Sequence, residues 1–225
     1  MPGPTPANLL SVFPDKLAAR LFAQAKPAKL AADEVLFLAG DPGDGCYRIE
    51  EGLLKVSMIA ATGAERILAI VGPGAIVGEL STIDGLPRSA SVAAVRDSEL
   101  TFVSRAAFQT FADATPEVYR HLVTLLASRL RDTDGVVAAG SFLSLKGRVA
   151  RALLDLSEAF GQDVGQGRIL IRQKVSQSDV AAMAGIAREN VSRILNDWIR
   201  DKLVSRLSGY YCLENKARLK RESAL

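Results

Sequence analysis

The chain has 225 residues, of which 48% are hydrophobic, and a formal net charge of +3 at pH 7. That length suits one large domain or two ordinary ones with real cores. So small a charge excludes attraction of nucleic acid by a global field and leaves only local clusters of Lys and Arg for that purpose. Cys46, Cys212 and the single histidine, His121, are dispersed, so no disulfide framework, zinc site or iron–sulfur site of the usual ligand sets is expected. Nor is there an apolar run of the ~18–20 residues that a membrane span needs. The start, MPGPTPANLL, lacks the basic-then-apolar pattern of a secretion signal. The expectation is a cytoplasmic protein, without a membrane partner, whose proline-rich N-terminus is frayed.

In chain order, FPDKLAARLFAQA has helical spacing. From about residue 28 to 111 follow brief β-type segments: EVLFLAG, CYRIEEGLLKVSMIA, ERILAIV, SASVAAV and SELTFVS. Glycine or proline punctuates nearly every one, the rhythm of an all-β barrel or sandwich. At Thr115-Pro116, a cap residue and a proline at the first helical position, the period changes from two to about 3.5. Tyr119, Val123, Leu126, Leu130, Thr133, Val137 and Gly140 then alternate spacings of four and three, the seam of a two-stranded coiled coil. Such a stripe can pack on the chain's own β-domain. Its length on a helix leaving a compact domain favours a homodimer instead. Within it, RDTDG at 131–135 reads as a turn at which the helix could break. From Ser141 the chain is mostly helical, with Ser144 as a cap, and ends in a short hairpin turning at Ser208-Gly209.

Two stretches carry chemistry. VGELSTIDGLPRSAS, residues 77–91, sets Glu79 and Arg88 nine positions apart in a segment broken by glycine and proline. VSQSDVAAMAGIARENVSRILNDWIRDKLV has helix-turn-helix spacing: a helix from Ser176, Gly185 where the turn needs positive φ, and a second helix turning Val191, Ile194, Leu195 and Trp198 inward. On that helix's opposite face lie Arg188, Glu189, Ser192 and Arg193. Arginine there can bond guanine O6 and N7, and glutamate can accept from cytosine N4. Lys174, Arg200, Lys202 and Arg206 would supply phosphate contacts, and Ser176 and Gln177 at the start of the first helix complete the expected DNA-binding set. A solvated face on an ordinary helical hairpin is the alternative; the following hairpin, a candidate wing, argues for the DNA reading.

Nearly the whole chain resembles the Crp-Fnr family of bacterial transcription regulators. LFLAGDPGDGCYRIEEGLLKV is similar to its early β-roll signature, GELSTIDGLPRSA to its phosphate-binding cassette, and RENVSRIL to its recognition helix. The resemblance implies an α+β fold with domains at 1–112 (cyclic-nucleotide-binding β-roll, or jelly roll), 113–140 (dimerisation helix) and 141–225 (winged helix-turn-helix). In the cassette, Gly78 would let the backbone approach a phosphate, and the amides around Glu79 and Leu80 would point at its oxygens. Arg88 would complete the clamp, with the Ser89 hydroxyl and Ala90 amide adding neutral bonds. In the family the carboxylate matching Glu79 accepts the ribose 2′-hydroxyl; an internal Glu79–Arg88 ion pair is the plainer account. By the same alignment Thr133 falls on the threonine that bonds the adenine amino group, and Arg129 on the arginine that supports the ribose-binding glutamate. Asp134 departs from the serine of the cyclic AMP receptor protein, which comes there from the other subunit, and is a stronger acceptor.

The expected ligand is therefore cyclic AMP, which Ser89 favours over cyclic GMP, and the expected targets are TGTGA-type palindromes in double-stranded DNA. Arg188 sides with the cyclic AMP receptor type over the oxygen-sensing Fnr type. Ala187 in place of a serine or threonine cap weakens the recognition helix by ~1 kcal/mol. Ligand would lengthen the coiled coil through Thr133 and Asp134, a segment that Gly135 and Gly140 make easy to melt, and would turn the winged domains about a hinge at 139–143. The resemblance also implies RNA polymerase as a partner and no enzymatic activity. Regulators responding to another ligand, or binding DNA without one, and a nucleotide-binding module without DNA activity are the alternatives. Sensing by haem, iron–sulfur or redox chemistry is disfavoured by Cys46, Cys212 and His121. A nucleotide hydrolase is disfavoured by the lack of a metal carboxylate cluster or a placed base.

Overall fold

Two long strands, β3 (Gly45–Ile59) and β6 (Ser91–Ser104), organise the N-terminal half of the computed structural model, which describes residues 15–23 and 25–224. The proline-rich start expected to fray lies outside them. The described residues fall into two compact units, one through Arg131 and one from Asp132.

In the first unit β6 pairs with β3 along most of its length, and β1 (Lys26–Leu30), β2 (Val35–Phe37), β4 (Glu65–Val71) and β5 (Ile76–Val77) complete an antiparallel sheet of order β1-β6-β3-β4, with β2 on β6 and β5 on β3. The segments SASVAAV and SELTFVS are one strand, not two, because the polar Arg96-Asp97 between them is taken up in a bulged stretch of the β3–β6 ladder. Bulges at residues 49–54 bend the pair without ending it. Alternate residues of these strands, among them Ile49, Leu54, Val92, Ala94 and Leu100, close a buried core with Val71 and Val77.

A second cluster gathers α1 (Asp15–Leu21), through Leu17, Ala18 and Leu21, against α3 (Arg105–Ala114) and the start of α4 (Glu117–Phe142). The helix α3 is an element the sequence reading does not contain: it directly continues strand β6, and the Ser104 cap, whose side chain accepts from the Ala107 amide, is what starts it. Val118 and Leu122 of α4 are buried in this cluster. The residues of the coiled-coil stripe are not: Tyr119, Val123, Leu130 and Val137 stand 45–65% exposed. Within the first unit, Tyr119, Val123 and Leu130 are thus left uncovered by its own sheet. No break occurs at RDTDG either, since α4 runs through it for 26 residues. Intrinsic propensity at one turn is worth less than the ladder on both sides of it.

The second unit contains α5 (Leu145–Phe160), capped by Ser144 as expected, then β7 (Gly161–Asp163), β8 (Ile169–Ile171), α6 (Gln177–Ala184), α7 (Arg188–Arg200), β9 (Val204–Leu207), β10 (Tyr210–Leu213) and α8 (Lys216–Glu222). The four strands form a small antiparallel sheet of order β7-β8-β10-β9. Ser208 and Gly209, both at positive φ, make the hairpin turn between β9 and β10 where the sequence places it. No described helix is long and apolar enough to cross a membrane.

Candidate nucleotide and DNA sites

Strand β5 delivers the chain to Gly78, whose φ of 79° starts the six-residue helix α2 (Glu79–Asp84). A side chain at Gly78 would be strained by that φ, and its Cβ would run into Arg88 Nη1 and press on Gly45 O. Glu79 and Leu80 stand in the first turn of α2, where no intrahelical carbonyl meets an amide. Gly78, Glu79, Leu80, Arg88, Ser89, Ala90 and Arg129 all line one small pocket, closed on its apolar side by Phe37, Val77 and Val92. Thus seven of the nine ligand residues inferred from the sequence come together. Thr133 and Asp134 lie further along α4, beyond Arg129, and are exposed.

Glu79 and Arg88 do not pair with each other. Glu79 is 1% exposed; Arg129 Nη1 donates to its Oε1, and Arg129 Nη2 donates to Ile76 O at 2.9 Å. Burial pushes the Glu79 carboxyl above its usual range, while the Arg129 guanidinium pulls the other way. Arg88 is 4% exposed: its Nη1 donates to Gly45 O (2.7 Å) and Gly78 O (2.9 Å), and its Nη2 to Asp44 Oδ1 (2.7 Å). Sequence reasoning does not find Asp44; only folding shows that its loop also fixes Arg88, by Gly40 N to Arg88 O and Arg88 N to Asp41 O, each 2.8 Å.

Two buried polar atoms in the pocket have no hydrogen-bond partner: Glu79 Oε2 and Arg88 Nε. Buried polar atoms without a partner call for a ligand, a water or local strain to explain them. One is an acceptor and the other a cationic donor, set beside backbone amides at a glycine-opened turn. That donor set fits a ligand carrying a hydroxyl and an anionic phosphate, as a cyclic nucleotide does. Nearby, burial and the negative charge of Glu79 push the Cys46 thiol up to about 12, so it stays protonated and unreactive near neutral pH. Among the described residues, no group of three or more His, Cys, Asp or Glu could hold a metal ion.

In the second unit a capping box opens α6: the Ser176 hydroxyl accepts from Asp179 N at 3.0 Å, and Asp179 Oδ2 accepts from Ser176 N at 2.8 Å. Ser176 is therefore first a cap, and Gln177 beside it is half-buried. Gly185 ends α6 at φ 64°, the left-handed position expected of it. Across the turn, Val191, Ile194, Leu195 and Trp198 of α7 are buried, while Arg188, Glu189 and Arg193 are exposed and Ser192 is half-buried. Ala187 caps α7 without a side-chain bond. Lys174, Arg200, Lys202 and Arg206 are all exposed, with Lys174 Nζ 5.7 Å from the Tyr210 ring, near the wing turn. A protruding helix face of two arginines and one glutamate, flanked by cations, can enter a major groove and bond base edges.

Residues 27–115 match the cyclic nucleotide-binding domain family, and residues 147–222 match the Crp-like helix-turn-helix domain family. The chain is similar to the CRP-like cAMP-activated global transcriptional regulator of Mycobacterium tuberculosis: 34% identity over 84% of this chain and 86% of that one. It is also similar to the cyclic AMP receptor protein of Thermus thermophilus, with 36% identity over 79% and 74% of the two chains. Among solved structures it resembles TTHA1359, a CRP/FNR-family transcriptional regulator from Thermus thermophilus, with a TM-score of 0.73 and 25% identity over 88% of this chain and 98% of that one.

Proposed function

We propose, from the premise that this chain belongs to the Crp-Fnr family of DNA-binding transcription regulators, that it is a cytoplasmic, homodimeric regulator which binds TGTGA-type palindromes when cyclic AMP is bound. The observation that carries the reading is the pair of buried, unpartnered atoms in one pocket, Glu79 Oε2 and Arg88 Nε. Glu79 Oε2 would accept the ribose 2′-hydroxyl. Arg88 Nε, with the amides of Glu79 and Leu80 and with Ser89 and Ala90, would hold the cyclic phosphate. Arg129 keeps Glu79 in place from α4. Thr133 and Asp134, following Arg129 on the same helix, are assigned to the purine edge, and the bulk of α4 beyond them to the second subunit. The exposed stripe of Tyr119, Val123, Leu130 and Val137 supports that pairing.

On DNA, Arg188 and Arg193 would read guanine, Glu189 cytosine, and the two recognition helices of the dimer would lie about one helical turn, ~34 Å, apart. Ligand shifts the protein toward that arrangement only through its differential affinity for the two states. Transcriptional output would then pass through contact with RNA polymerase. Asp134 favours one second reading, cyclic GMP, because a carboxylate can accept both N1–H and N2–H of guanine. Titration of labelled TGTGA-type palindromic DNA, with and without each nucleotide, tests the scheme. Affinity should rise with cyclic AMP; affinity indifferent to both nucleotides would end the switch mechanism and leave the DNA assignment standing.

A further inference from the structure

Four acceptors and one aromatic ring surround the Arg88 guanidinium. Its Nη1 donates to Gly45 O, Gly78 O and, at 3.2 Å, Ser81 Oγ; its Nη2 donates to Asp44 Oδ1; its Nε has no acceptor. Its Cζ lies over the ring of Phe37, 4.2 Å from the ring centroid. Phe37 ends strand β2, just past a register shift opposite β6 that re-aims its side chain. Tyr47 backs it, with ring centroids 6.3 Å apart, and Tyr47 in turn lies 4.8 Å from Phe102. The platform is thus itself held by other rings.

We infer that Phe37 is a positioning residue for phosphate recognition: its ring fixes the plane of the Arg88 guanidinium so that Nε is the edge presented to the ligand. The inference rests on the reading of this pocket as a cyclic-nucleotide site. Asp44 and the carbonyls of Gly45 and Gly78 hold the guanidinium by its Nη atoms. The ring beneath Cζ adds a contact outside those bonds, and the ring quadrupole attracts the cation most where water is excluded. An aliphatic side chain would fill the same space without that attraction. Pre-setting the donor in this way lowers the ordering cost of binding.

The test is calorimetric titration of the full chain with cyclic AMP and cyclic GMP. For whichever nucleotide the wild type binds, Phe37→Leu should weaken binding about two- to thirtyfold, and Phe37→Tyr should restore it to within about twofold of wild type. Equal affinity of wild type and Phe37→Leu overturns the inference, and so does a tyrosine variant as weak as the leucine one. In parallel, urea unfolding without nucleotide is measured for Phe37→Leu, Arg88→Met and the double variant. Phe37→Leu should shift the midpoint less when Arg88 is already replaced; equal shifts in both backgrounds overturn the stacking. Should the wild type bind neither nucleotide, the cyclic-nucleotide reading fails, and the unfolding cycle alone decides whether Phe37 holds Arg88.

Discussion

Glu79 and Arg88 share a pocket yet each takes another partner, so neither buried charge depends on the other for compensation. Glu79 keeps Arg129, and Arg88 keeps Asp44, whose side chain is 66% exposed. The Glu79 carboxyl is raised by burial in the folded chain. A group so raised contributes stability that is present below the usual carboxylate range and lost as pH rises through its folded value. Urea midpoints of wild type and Glu79→Gln across a pH series should therefore show wild type losing ground to the variant as pH rises above the ordinary glutamate range. A constant difference would mean that Glu79 titrates as it does unfolded. At the DNA end, Arg188 is exposed on the outer face of α7. Arg188→Ala should relax discrimination at one guanine by ~1–3 kcal/mol in competition binding; a uniform loss over all sequences would mark a phosphate contact.

At the scale of elements, the long central helix forms as expected and continues where its sequence could have broken it. Asp and Gly in RDTDG are poor helix formers, yet α4 passes through them without a break. Neither Gly135 nor Gly140 has a positive φ; a Cβ at Gly135 would meet only Arg151 Nη2, at 3.5 Å, and one at Gly140 nothing within 4 Å. Alanine at either site should thus stabilise the helix by ~0.5–1 kcal/mol. If continuity of α4 is the switch, Gly135→Ala with Gly140→Ala should also raise DNA affinity in the absence of nucleotide, read by fluorescence anisotropy. Higher thermal stability with unchanged DNA affinity would place the switch elsewhere. The helix-turn-helix was far more legible, since its signals are local: the Ser176 cap, Gly185 in the left-handed turn, and an apolar stripe ending at Trp198. By contrast β7, β8 and α8 are short, and packing on α5 and on the wing, not propensity, sustains them.

For the whole molecule, the 45–65% exposure of Tyr119, Val123, Leu130 and Val137 is the feature one chain leaves unfinished. In the proposed homodimer these side chains form the interface. Val123→Glu combined with Leu130→Glu should convert the protein to monomers in sedimentation equilibrium and abolish cooperative binding to a palindrome while sparing nucleotide binding. A dimer that survives both substitutions would locate the interface elsewhere.

By itself the sequence determined the order of parts and the chemistry of each: a glycine-punctuated β-domain, a helix of coiled-coil period, a helix-turn-helix with a wing. These depend on turn residues and on periodicity, which are local. It also supplied seven residues that line the pocket. Only the tertiary structure decided how those residues pair, because pairing depends on what the two bent strands β3 and β6 bring alongside α2. Asp44 and Phe37 lie more than 40 residues before Arg88 in the chain and about it in space. Contacts at such separation carry no periodic signal, and they determine which edge of the arginine is left for a ligand.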